Sequence, residues 1–133
     1  MNLNYKSYWR KTGLKGKWGN IYLERIYNYK PKNFLEIGVF CGVTARNTCD
    51  FLKEINLKDI DFVFLDGGHS YQTVYNDLTN LYEHMKDKKK VILCDDYGSE
   101  SYIPEVEKAI NDFRKKNNLQ LNLIENRFAE ITT

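Results

Sequence analysis

The chain has 133 residues, 42% of them hydrophobic, and a formal net charge of +2. That length fits one compact domain with little room for a second, and the apolar share is enough for a core, which excludes global disorder. The charge is too small to argue for a nucleic-acid or membrane partner, and no apolar run approaches the length of a membrane span.

In chain order, residues 1–20 read as an irregular arm in which Tyr5, Tyr8, Trp9 and Trp18 alternate with Lys6, Arg10, Lys11, Lys15 and Lys17. Such a mixture can stack on single-stranded nucleic acid. It can equally pack its rings on a sheet and leave the lysines in water, which is the expectation here. The first residues, Met1–Lys6, lack the apolar core of a signal peptide, so a cytoplasmic location is expected. Residues 21–133 then form the domain. It opens with a short helix that carries Leu23, Ile26 and Tyr27 on one face and ends at Pro31.

Residues 33–39 read as a buried strand that runs into glycine, and Thr44–Ile55 as a helix. Asp61–Leu65 is a second strand. Tyr71, Val74, Tyr75, Leu78, Leu81, Tyr82 and Met85 then give a helical stripe with Ser70 as N-cap. Lys86–Lys90 reads as a solvated turn, Val91–Cys94 as the third strand, and Pro104 as the opening of a helix with Val106, Ala109, Ile110 and Phe113 inside. Two final strands, 119–124 and 127–132, turn near Glu125-Asn126. Continuous apolar strands, each followed by an amphipathic helix, predict an α/β fold: a mostly parallel sheet with helices on both faces and a C-terminal antiparallel hairpin. The cysteines, Cys41, Cys49 and Cys94, are odd in number and form no C-x-x-C pair, so neither a zinc site nor a disulfide framework is expected. Cys49 and Cys94 read as small buried hydrophobes.

Ligands of open parallel sheets bind outside the carboxyl ends of the strands. Three such ends are legible: Glu36-Ile37-Gly38-Val39-Phe40-Cys41-Gly42, Asp66-Gly67-Gly68-His69-Ser70, and Asp95-Asp96-Tyr97. Gly38 and Gly42 let the backbone turn tightly and approach a ligand, or simply serve a strand-to-helix turn. The acidic Glu36 suits a ligand with hydroxyls or an amine, and the spacing is not that of the dinucleotide fingerprint. Asp66 reads as a functional carboxylate or a turn former, and Asp95 and Asp96 as a site or a solvated loop. His69 is a candidate general base or a loop histidine capping the next helix. His84 is assigned no function.

The segment Leu35–Gly42 resembles motif I of class I S-adenosylmethionine-dependent methyltransferases, and Asp61–Tyr71 and Val91–Gly98 resemble their fourth and fifth strands. The likeness is greatest to methyltransferase family 24, which is similar to macrolide and aminocoumarin sugar O-methyltransferases. It implies a truncated Rossmann-like methyltransferase sheet. It also implies S-adenosylmethionine as cofactor, lined by Glu36, Gly38, Gly42 and Asp66. A divalent ion, magnesium by family habit, is implied on Asp66, Asp95 and Asp96, with His69 as base. Magnesium's preference for oxygen ligands agrees with three carboxylates on neighbouring strand ends. The implied reaction is methyl transfer to a hydroxyl of a small, sugar-like substrate. Lys17-Trp18-Gly19 resembles a segment that covers the active site in relatives. The family's acidic residue at the position of Gly68 is missing.

The chain also lacks about 60 residues that relatives carry after motif I, two βα units of roughly 30 residues each. Those units supply contacts to the ribose and adenine. Their loss leaves the first strand as an apolar sheet edge, which invites pairing with another copy in a homodimer. A non-catalytic remnant that serves as an oligomerising or binding module is therefore the alternative to an enzyme.

Overall fold

The computed structural model describes residues 14, 16–38, 61–85, 90–100 and 102–133. The expected helix Thr44–Ile55, with Cys41, Gly42 and Cys49, lies outside the described residues, as does the side chain of His84. The described elements are α1 (Lys17–Tyr29), β1 (Phe34–Ile37), β2 (Phe62–Leu65), α2 (Tyr71–Met85), β3 (Val91–Cys94), α3 (Pro104–Lys116), β4 (Gln120–Ile124) and β5 (Phe128–Thr132). No helix among them is long and apolar enough to cross a membrane.

The strands form one sheet in the order β1-β2-β3-β5-β4. β1 pairs with β2 and β2 with β3 in parallel, while β5 is antiparallel to both β3 and β4. β1 to β4 therefore run one way and β5 alone runs against them, one place in from the edge. β1, in register Phe34↔Phe62 through Ile37↔Leu65, is the other edge of the described sheet.

The period of two along each strand divides the core. Phe34, Phe62, Phe64, Leu93 and Phe128 face α1 and pack on Tyr22, Leu23, Ile26 and Leu14. Phe34 stacks on Phe62 at 5.6 Å, and Tyr22 lies 4.7 Å from Phe64 between ring centroids. The opposite face presents smaller side chains, Val63, Leu65, Ile92, Cys94, Ala129 and Ile131, to Val74 and Leu78 of α2 and to Val106, Ala109, Ile110 and Phe113 of α3. Burial on both faces is why β2 and β3 read as unbroken apolar runs.

Helix α1 differs from its sequence reading. It begins at Lys17, inside the stretch expected to be irregular, and its buried face is Gly19, Tyr22, Leu23 and Ile26. Tyr27 falls off that stripe and faces solvent. Lys30, in the left-handed region at φ 53°, ends the helix and donates its amide to the Ile26 carbonyl just before Pro31. Ser70 caps α2 as expected, its Oγ accepting the Thr73 amide at 3.2 Å. In α3, Pro104 stands in the first turn with Glu105 and Glu107, and Arg114, Lys115 and Lys116 in the last, the arrangement that complements the helix dipole. Of the expected solvated turn Lys86–Lys90, residues 86–89 lie outside the described residues, and Lys90 departs from the expectation. It is buried and exchanges backbone hydrogen bonds of 3.3 and 3.0 Å with Thr133, which fixes the entrance to β3.

Three residues, 125–127, join β4 to β5; Glu125 and Asn126 both have positive φ, 51° and 56°, and the Arg127 amide closes the turn on the Ile124 carbonyl at 3.1 Å. This turn docks on the exit of β3. Tyr97 and Gly98 donate their amides to the Arg127 carbonyl, and Glu100 donates to that of Asn126. Gly98 permits the contact, since a Cβ there would overlap the Asn126 carbonyl. Gly98→Ala should cost about 1–3 kcal/mol through this overlap. A melting point equal to wild type in calorimetry would show that the hairpin does not seat on Gly98.

Candidate active site

Because β1, β2 and β3 are parallel neighbours, their carboxyl ends meet at one rim of the sheet. An open cleft of about 300 Å³ lies there, bounded by Gly38, Asp66, His69, Asp95, Asp96 and Arg127. Gly38 has φ 95°, and a Cβ on it would overlap the Asp66 carbonyl. The neighbouring Asp66 amide donates to the Ile37 carbonyl at 2.9 Å. The glycine thus lets two strand exits touch backbone to backbone, a different use from the expected approach to a ligand.

The consecutive residues Asp95 and Asp96 part company. Asp95 is buried, and both its oxygens accept from Arg127, Nε to Oδ1 and Nη2 to Oδ2, each at 2.7 Å. Its Oδ1 also accepts the Asp96 amide at 2.8 Å. Asp96 has φ 59°, and its Oδ2 stands 3.0 Å from His69 Nε2. Asp66, His69 and Asp96 each bring one ligand-type atom within 4.8 Å of the others. Of the expected trio Asp66, Asp95 and Asp96, which line one cleft, Asp95 has its oxygens already taken. The guanidinium occupies Asp95, and His69 stands in its place.

Burial, followed by the charge of Asp66, pushes the Glu36 carboxyl up to about 7. Burial, followed by Asp95 and Asp96, pushes Asp66 up to about 7, against the opposing pull of Arg127 and His69. Burial also pushes Asp95 up, but Arg127 opposes it, and two 2.7 Å bonds to a guanidinium are the geometry of an ionised pair. Glu36 Oε2 is buried without a hydrogen-bond partner among the described residues. Burial raises the Cys94 thiol far above its ordinary range, so Cys94 is an inert core residue, as expected.

Residues 46–97 match the family model described as a methyltransferase domain. The match takes in Asp66, His69, Asp95 and Asp96. Among solved structures, a Staphylococcus aureus protein proposed to be a caffeoyl-CoA O-methyltransferase aligns over 86% of this chain and 81% of its own, with TM-score 0.53 and 11% identity. The chain has the fold of a class I methyltransferase. An SAH-bound methyltransferase of Podospora anserina aligns over 88% of this chain and 78% of its own, with TM-score 0.49 and 12% identity. A 52-residue stretch, 39% of this chain, is 44% identical to an uncharacterized protein of Acanthamoeba polyphaga mimivirus. That stretch spans 23% of the viral protein.

On this methyltransferase fold, the expected site residues Glu36, Gly38, Asp66, His69, Asp95 and Asp96 all stand at or next to the carboxyl ends of β1, β2 and β3. Gly42 lies outside the described residues. Arg127 was missed. It stands 32 residues from Asp95, in a hairpin turn whose sequence carries no functional signal.

The raised carboxyls have a consequence for stability. Their unfolded values lie near 4, so the folded state holds its protons more tightly. The stability they contribute is full below about pH 4 and is lost as pH rises toward about 7. The melting temperature should fall across that window, and Glu36→Gln, which keeps the buried shape without the charge, should flatten the fall. A constant difference between wild type and Glu36→Gln at every pH would contradict the assignment.

Proposed function

We propose that this chain is an S-adenosylmethionine-dependent methyltransferase domain that transfers a methyl group to a hydroxyl of a small, sugar-like substrate with the help of a divalent cation. The observation that carries the reading is the meeting of Asp66, His69 and Asp96 in an open cleft at the carboxyl ends of β2 and β3. S-adenosylmethionine, when bound, supplies an electrophilic methyl group. The Glu36 oxygen, without a partner among the described residues, fits a cofactor's ammonium or ribose hydroxyl, and Gly38 and Asp66 lie beside it at the same rim. Two carboxylates in a half-buried cleft, Asp66 and Asp96, fit a divalent cation, which would orient a substrate hydroxyl and ease its ionisation. With His69 Nε2 turned to Asp96 Oδ2 at 3.0 Å, Nδ1 is the nitrogen left to take the hydroxyl proton.

A second reading, an assembly module without catalysis, draws on one observation: among the described residues β1 pairs on one side only. Two β1 edges joined about a two-fold axis would make a homodimer.

Calorimetric titration with S-adenosylmethionine, with and without magnesium or manganese, separates the two. Micromolar cofactor binding, weakened by Glu36→Gln, is expected of the enzyme. Cation binding should weaken about 10- to 100-fold in Asp66→Asn. No binding up to millimolar cofactor, together with a dimeric mass in solution, would select the assembly module.

A further inference from the structure

We infer that Arg127 is a positioning residue that holds Asp96 in its working conformation; the inference rests on the reading of the cleft as a methyl-transfer site. Asp96 is a non-glycine residue in the left-handed region, at φ 59°. Such a backbone persists only where its surroundings over-determine it. Arg127 supplies that constraint from both sides of Asp96. On the amino side, its guanidinium fixes both oxygens of Asp95, and Asp95 Oδ1 then takes the Asp96 amide. On the carboxyl side, the Arg127 carbonyl accepts the amides of Tyr97 at 3.1 Å and Gly98 at 3.0 Å. Asp96 is thus the one link between two clamped neighbours, and its carboxylate is left aimed at His69.

The guanidinium is itself held in place. Its central carbon lies 5.3 Å from the Trp18 ring and 5.4 Å from that of Phe128. Only a planar, two-pronged cation meets two carboxylate oxygens and two ring faces at once. A lysine ammonium is a single point of charge and cannot. The cleft's geometry therefore depends on the seating of α1 and of the C-terminal hairpin, neither of which contributes a carboxylate to it.

The test compares wild type, Arg127→Lys, Asp95→Asn and Asp96→Asn in the full chain. The His69 ring ¹H–¹⁵N signals are recorded at one fixed pH without metal, and manganese affinity is measured by electron paramagnetic resonance. Arg127→Lys should stay folded and shift the His69 signals toward those of Asp96→Asn, with manganese affinity about tenfold weaker. Folded Arg127→Lys with wild-type His69 signals would overturn the inference. If Arg127→Lys fails to fold, Asp95→Asn decides by the same signals, and unfolding of both makes the pair purely structural, which also overturns it. Wild type that binds no manganese would instead overturn the cation reading of the site, while the His69 signals still decide the role of Arg127.

Discussion

The buried pair of Asp95 and Arg127 is the constraint on which the functional rim depends. Taking two charges out of water is costly, and an isosteric apolar pair is often as stable, so such a pair is weak evidence for stability alone. Removing one partner is another matter, because it strands the other charge in the interior. Here the pair joins the end of β3 to the β4–β5 turn, segments separated by the whole of α3. It also draws Trp18 of α1 over the guanidinium, so elements from both ends of the described chain meet at a single side chain.

Around that strut the rim concentrates negative charge. Glu36, Asp66, Asp95 and Asp96 lie close enough for Asp66 to feel Asp95 and Asp96, and for Glu36 to feel Asp66. Among the described residues, Asp95 is the one with a cation fully committed to it. Burial and mutual repulsion raise the free energy of the charged rim, and no fold requires that. Carboxylates held in this way are the environment in which proton transfer and cation binding occur at neutral pH.

How much of this was legible depends on the range of each interaction. The strands β2 and β3, the stripe of α2, the Ser70 cap and the inner face of α3 were readable because each is a local pattern of period, cap or proline. The start of α1 was not. Its tryptophan, glycine and lysines suit a loop, and only packing of Tyr22 and Ile26 on the phenylalanine face of the sheet decides for a helix. In the site, the motif segments put carboxylates at the right strand ends. Nothing local could tell that Asp95 and Asp96, adjacent in sequence, would be divided by Arg127 into one strut and one free carboxylate. That division depends on the positive φ of Asp96 and on a contact across 32 positions.

The two halves of the site are supported unequally. The cluster of Asp66, His69 and Asp96 is built on β2 and β3, and its strut comes from β5's turn, so it is supported by described residues on all sides. Glu36 stands on the edge strand of the described sheet, and its buried Oε2 has no partner among the described residues. The half that would activate a hydroxyl is therefore complete in itself, whereas the half that would grip a cofactor is held from one side. Catalysis on this fold turns on whether a donor reaches Glu36 across the β1 edge, from the cofactor alone or with a second chain beside it.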